Sequence, residues 1–222
     1  MAFRIEAAAR GLTLVLAAAA LAAAQPLTLQ VRHGALVFTD SGVRYQGKHP
    51  HEWNYPEIQR LGLMPNEITI RTYDDIRWQL GRDREYRFNR IAEGETAKLY
   101  PLLAARLDQR LVARIAIPLP SPLWQAPAKL LHRTGGANGE LKIGSDRIVF
   151  DGKGGSRTWR YSDIDNISSS GPFDLSLTSL DGESRLQLKQ ALSQDRYNDL
   201  WRRITEANGL KVFQSRMEHT HD

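Results

Sequence analysis

The sequence predicts a mainly β protein with one C-terminal helix per repeat, an α+β chain made of two copies of one small module. Three observations carry that expectation. Apolar residues alternate in short runs through most of the chain, which is the period of half-buried strands. The alternation gives way to helical spacing twice, once near residue 100 and again near residue 200. A short step also recurs: Trp53-Asn54-Tyr55-Pro56-Glu57-Ile58 and Trp159-Arg160-Tyr161-Ser162-Asp163-Ile164 set Trp, Tyr, an acid and Ile at the same spacing.

Residues 1–24 read as a secretory signal segment. Arg4 and Arg10 supply a positive start, Gly11 to Leu21 an apolar stretch, and Ala22-Ala23-Ala24 a small-residue cleavage site before Gln25. The apolar stretch is mostly Ala and shorter than the ~20 residues that span a bilayer. The expectation is export, to the periplasm or outside the cell. With 30 Lys+Arg against 25 Asp+Glu the formal charge is +5, and removal of the segment lowers it to +4. So mild a balance gives no reason to expect a nucleic-acid partner. The absence of Cys excludes disulfides, thiol catalysis and Cys-based metal sites.

Aligning the chain with itself lays Gly34-Ala35-Leu36-Val37-Phe38 over Gly139-Glu140-Leu141-Lys142-Ile143, Tyr45 over Phe150 and Gly47 over Gly152. Trp53, Tyr55 and Ile58 then meet Trp159, Tyr161 and Ile164, and Ile68 and Ile70 meet Leu175 and Leu177. After a gap in the second copy, Tyr86-Arg87-Phe88 falls over Leu186-Gln187-Leu188. The first module is expected over residues 25–114. Its strands carry Leu27, Leu29 and Val31; Leu36 and Phe38; Val43 and Tyr45; Trp53 and Tyr55; Ile68, Ile70 and Thr72; Ile76, Trp78 and Leu80; and Tyr86 and Phe88. A helix follows with Leu99, Leu102, Leu103, Leu107 and Leu111 on one face, and Arg106, Arg110 and Arg114 near its C-terminus. Residues 115–127 hold four prolines within 118–127 and predict a stiff spacer, its Trp124 laid against a domain. The second module is expected over residues 128–210, with a first strand at Ala128–His132 and a turn over Gly135–Gly139. Its helix is capped by Ser193, carries Tyr197, Leu200, Trp201 and Ile204, and ends at Gly209. Residues 211–222 read as a disordered tail.

Seven short strands closed by one amphipathic helix, with the Trp-x-Tyr-x-acid-Ile step, resemble the pleckstrin-homology-like superfold in its bacterial and GRAM-type branches. The step looks like the third-strand signature of those modules. The resemblance implies two tandem PH-like small barrels, each plugged by its helix, and binding or scaffolding in place of chemistry. In some members lipid headgroups are held by a basic cluster between the first two strands. Here that loop offers only Arg32 and His33, or His132 and Arg133, which argues against phosphoinositides. The family also implies peptide binding in a groove between a sheet edge and the C-terminal helix, near Leu99–Arg114 or Tyr197–Ile204.

No catalytic constellation and no cofactor motif is expected. Trp53 and Trp159 read as core rings, and Glu57 and Asp163 as turn residues that accept backbone N–H groups. His49-Pro50-His51-Glu52 lacks the second His of a zinc helix, and His219 and His221 are only two ligands, so no metal is expected. A hydrolase with an inter-domain cleft around Trp124 remains a rival reading. Six arginines, Arg71, Arg77, Arg82, Arg84, Arg87 and Arg90, fall in one short stretch. If Ile76–Leu80 pairs with Glu85–Phe88 across Gly81–Arg84, Arg77 and Arg87 face outward together. Arg77, Arg82, Arg84 and Arg87 are therefore the candidate binding residues. The expected function is a non-enzymatic exported interaction or scaffold protein for a protein or peptide partner. Anionic membrane lipid or a cell-wall polymer, held through the arginine-bearing hairpin, is the alternative.

Overall fold

The computed structural model describes residues 26–218. The expected signal segment and the pair His219 and His221 lie outside them. Among the described residues the fold is mainly β with two α-helices, the second at their C-terminal end. The first unit runs β1 (Leu27–Val31), β2 (Gly34–Phe38), β3 (Gly42–Gly47), β4 (His51–Asn54), β5 (Ile58–Met64), β6 (Glu67–Ile76), β7 (Gln79–Asn89) and α1 (Glu95–Arg106). After β8 (Leu111–Ala113), the second unit runs β9 (Trp124–Leu131), β10 (Gly136–Ile143), β11 (Arg147–Gly152), β12 (Arg157–Arg160), β13 (Ile164–Ser168), β14 (Asp174–Ser179), β15 (Gly182–Leu188) and α2 (Gln194–Glu218). Four strands, a 3-10 turn, three strands and a helix thus occur twice.

Each unit has its own core. Leu36, Phe38, Trp53, Ile58, Leu61, Ile68, Ile70, Leu99 and Leu103 fill the first, and Leu141, Ile148, Phe150, Trp159, Ile164, Leu175, Leu177 and Leu186 the second. The recurrent step falls on the fourth strand of each unit, β4 and β12, and not on the third. Its parts have separate jobs. Trp53 and Trp159 are 2% exposed and Ile58 and Ile164 fully buried. The Tyr55 hydroxyl donates to the Thr39 carbonyl at 2.8 Å, and that of Tyr161 to the Gly144 carbonyl at 2.7 Å, so each tyrosine ties the 3-10 turn to the neighbouring hairpin. Gly34 and Gly139 are demanded by a close approach: a Cβ would lie 2.1 Å from the Gln46 carbonyl oxygen in one and 2.2 Å from that of Asp151 in the other.

The sheets are joined differently from two isolated barrels. Strands β1-β2-β3-β4 form one sheet. The other, among the described residues, has eleven strands in the order β13-β14-β15-β9-β10-β11-β12-β8-β5-β6-β7, and neither sheet closes on itself within them. The link is β8, parallel to β5 through Leu61↔Leu111 and antiparallel to β12 at Thr158↔Ala113. The buried Thr158 hydroxyl donates to Ile115 O at 2.8 Å and accepts the Ile117 N–H at 3.0 Å, which fixes the exit of that strand.

Four expectations change. Leu107 and Leu111 have helical spacing, yet α1 stops at Arg106 and Leu107 turns extended. Arg110 is held by the Tyr55 and Ile58 carbonyls, both at 3.0 Å, which pulls Leu111 into a strand instead. Trp124–Pro127, expected as spacer, begins β9 and pairs with β10. The tail does not start at 211, because α2 continues to Glu218. One helical Gly costs only about 1 kcal/mol, and the sequence after Gly209 is rich in helix formers. Finally, Ile68 faces Phe88 while its counterpart Leu175 faces Leu186. Phe88, not Tyr86, therefore holds the place of Leu186.

Candidate functional site

The long hairpin of β6 and β7 sets the site. These strands have 10 and 11 residues, against 6 and 7 in β14 and β15. Ile76 pairs with Gln79, so the turn is at Arg77-Trp78 and not at Gly81–Arg84. Arg77 therefore sits at the tip, its guanidinium 5.6 Å from the centre of the Trp78 ring, and Trp78 is 86% exposed. The pairing of Ile76–Leu80 with Glu85–Phe88 that was expected to set Arg77 beside Arg87 does not form.

Arg87 instead meets arginines from other strands. On the outer face of β5, β6 and β7 a groove of about 190 Å³ is lined by Arg60, Arg71, Arg87 and Arg114 together with Glu67, Glu85 and Asp181. An adjoining hollow of about 460 Å³ shares Arg71, Glu85 and Arg87 and adds Arg82 and Asp83. Arg84, the remaining candidate, lines neither.

Two carboxylates organise five guanidinium groups. Asp181, in the β14–β15 turn, receives Arg60 at 3.2 Å, Arg114 at 2.8 Å and Arg157 at 3.0 Å. Glu85 receives Arg71 and Arg87, both at 2.7 Å. The hydrogen bond from Arg71 holds the Glu85 carboxyl below its usual range, aided by Arg87 and opposed by partial burial. Burial pushes the Arg157 guanidinium down, and Asp181 opposes that shift. With Glu67 counted, the cluster keeps an excess of two positive charges. Arg87 and Arg114 turn 67% and 53% of their side chains to solvent, whereas Asp181 shows 7%. The acids thus act as struts beneath a cationic surface that water, or an anion, can reach.

Sequence reasoning found Arg82 and Arg87 and missed Arg60, Arg114, Arg157 and Asp181. Arg60 has the outward phase of its strand, which was the only local signal. Asp181 reads locally as a hairpin turn residue, and nothing near it announces three distant arginines.

The other candidates resolve as follows. The Asn54 N–H donates to Glu57 Oε2 at 2.8 Å, as a turn acid should. Asp163 grips Arg160 at 2.7 Å. Arg160 in turn donates to the carbonyls of Ala104, Leu107 and Asp108, capping the end of α1 from the other unit. Trp124, around which a cleft was expected in the rival reading, is 9% exposed and lies beneath the Arg196 guanidinium. A cavity of about 650 Å³ between the units does hold His132, Ser156, Arg114 and Arg157, but the Ser156 hydroxyl is engaged by the Gly152 backbone at 3.3 Å. The His51 ring lies tilted against Trp53, 4.6 Å between centres. Among the described residues no group of three or more His, Asp or Glu is placed to hold a metal, and no helix is long and apolar enough to cross a membrane. Within Leu99–Arg114, near which peptide binding was expected, Leu111–Ala113 forms β8 and pairs with β5.

No protein-family model matches the chain, and no curated protein matches it in sequence. Among solved structures, the C-terminal domain of an unknown protein from Leishmania infantum is similar at 17% identity. The match covers 50% of this chain and 96% of that one, with a TM-score of 0.32, too slight to bear on fold or function.

Proposed function

We propose that the protein is a non-enzymatic, exported interaction module of two tandem PH-like domains, and that it binds an acidic protein or peptide through the arginine groove of the first. The observation that carries the binding site is the gathering of Arg60, Arg71, Arg87, Arg114 and Arg157 on Asp181 and Glu85. Guanidinium groups held in place by a strut lose less freedom on meeting a second carboxylate than free side chains would. The PH-like reading is supported by the order of seven strands and a helix in each unit. Export rests on the pattern of residues 1–24.

The test is titration calorimetry of the full chain with octaglutamate at low and raised salt. The expected result is salt-sensitive binding that weakens about tenfold in Arg87→Ala and again in Arg114→Ala, each tenfold step being ~1.4 kcal/mol. Binding that ignores both substitutions would sink the proposal. A second reading, peripheral attachment to an anionic membrane, is favoured by Trp78 at the hairpin tip with Arg77 against it. It requires sedimentation with phosphatidylglycerol vesicles that is lost in Trp78→Ser.

A further inference from the structure

The two units differ at one corner, and the difference exposes a strand edge. In the second unit β9 runs on beyond the corner and pairs with β15 through Leu188↔Ala128, Gln187↔Lys129, Leu186↔Leu130 and Arg185↔Leu131. In the first unit β1 ends at Val31 and the chain reverses at Arg32-His33, since Val31 already pairs with Gly34. The corner retains the Arg32 N–H bond to Asn89 O at 3.0 Å. Among the described residues β7 is otherwise paired on one side only, with β6. A strand as long as β7 thus carries a run of backbone N–H and C=O groups that its counterpart in the second unit satisfies with the chain itself.

Side chains record the same vacancy. Leu186, which faces Leu130 of the covering strand, is fully buried. Phe88, in the equivalent place, remains partly exposed, and so do Tyr86 and Tyr45 beside it. These rings form a half-covered cluster with His51 and Trp53: Tyr45 to Phe88 is 5.1 Å, His51 to Tyr86 5.5 Å and Trp53 to Tyr86 4.8 Å between centres. On the opposite face of β7, Glu85 and Arg87 line the arginine groove.

We propose that the free edge of β7 binds an acidic extended peptide by strand addition, antiparallel as β9 lies on β15, with acidic side chains toward Arg71, Arg82 and Arg87 and apolar ones over Tyr45, Tyr86 and Phe88. Main-chain hydrogen bonds supply a sequence-independent part of the affinity, and alternate side chains supply the selectivity. The covering strand of the second unit shows the required pattern, with Leu130 and Ala128 buried inward and Lys129 between them. The excess of guanidinium groups sets the opposite sign for the outward residue. This inference rests on the arginine groove being the binding surface and adds the geometry and sequence pattern of the ligand.

The experiment compares two eight-residue peptides of identical composition, one alternating Glu and Val and one with four Glu followed by four Val, on the full chain. Affinity is read by calorimetry and β7 amides by hydrogen exchange. The alternating peptide is expected to bind at least about tenfold more tightly and to slow exchange at amides within Arg82–Phe88. A second variant replaces the Arg32-His33 turn with the longer Leu130–Ala137 hairpin end, covering the edge from within. It is expected to lose the preference for alternation while still binding octaglutamate. Equal affinities with unchanged β7 exchange would overturn strand addition and leave the arginine groove standing. No binding of either peptide or of octaglutamate would overturn both. A β7-to-β7 dimer that the peptide cannot displace would assign the edge to a second copy of the chain and end the proposal.

Discussion

The first unit is an open version of the second. Both use the same recurrent step, the same paired glycines and the same tyrosine-to-hairpin bond, yet only the second seals its corner between first and seventh strands. The cause is local: β9 and β10 share eight paired positions, β1 and β2 five. A few rungs of one hairpin decide whether the last strand of the unit is covered. The uncovered strand belongs to the hairpin that has lengthened and gathered arginines. The second unit thus closes this corner with its own chain, and among the described residues the first leaves one edge of β7 open.

The sharpest way to test that asymmetry is to remove the equivalent tryptophans. Trp53→Ala and Trp159→Ala each delete a fully enclosed ring and should cost about 3–5 kcal/mol in urea unfolding. Trp53 should fall at the lower end of that range. Its neighbours Tyr86, Phe88 and His51 are partly or wholly exposed and are free to collapse into the space, whereas Trp159 lies beneath Arg157, whose side chain is 13% exposed, 5.2 Å away. A larger loss for Trp53 would contradict the open-corner description.

A second test breaks what joins the units. Asp181→Asn leaves Arg60, Arg114 and Arg157 around a neutral group, and Arg157 is the most enclosed of the three. Breaking a buried pair costs about 3–5 kcal/mol; with Arg114 half exposed and screened by water, about 2–3 is expected here. Arg160→Met should cost about 1–2 kcal/mol through the lost cap on α1. If the shared sheet holds the units as one body, both losses appear as shifts of a single unfolding transition. Two separated transitions would mean that β8 and Asp181 only tether independent domains.

What could be read from the chain follows from the range of the forces involved. Strand alternation, the turn at Asp181-Gly182, the Ser193 cap and the burial of both tryptophans depend on neighbours a few residues away, and all were legible. The Ser193 hydroxyl does accept the Arg196 N–H, at 3.4 Å. The extent of α1 was not legible, because Leu107 and Leu111 are buried in either conformation and their spacing suits a helix as well. The hairpin turn was misplaced because Gly81 offers the stronger local turn signal, while the pairing of Ile76 with Gln79 follows two register shifts, between Arg71 and Asp75 and between Asp75 and Ile76, that no local pattern marks. The arginine groove draws on β5, β6, β7, the segment after β8 and a turn of the other unit. No window of sequence contains it.

The smallest effect concerns the duplicated tyrosines, and it asks whether the shared step stabilises both units alike. Burial pushes the Tyr55 and Tyr161 hydroxyls from 10.0 up to about 12. In the unfolded chain each loses its proton near pH 10, while in the folded chain each keeps it until about pH 12. The stabilisation is therefore fully present below pH 10 and is lost as pH rises from 10 to 12. Tyr55→Phe and Tyr161→Phe should each cost about 1 kcal/mol at pH 7, the worth of one hydrogen bond. Each should also make the fall in stability above pH 10 shallower, because Phe has no proton to lose. Measuring wild type against each variant by urea unfolding at pH 7, 9, 10 and 11 cancels the titration of lysines common to both chains. Equal flattening by the two variants would mean that the step is energetically the same in both copies, and that the asymmetry between the units lies wholly in the corner. Flattening by Tyr161→Phe alone would show that the open corner already admits water to the tyrosine turn of the first unit.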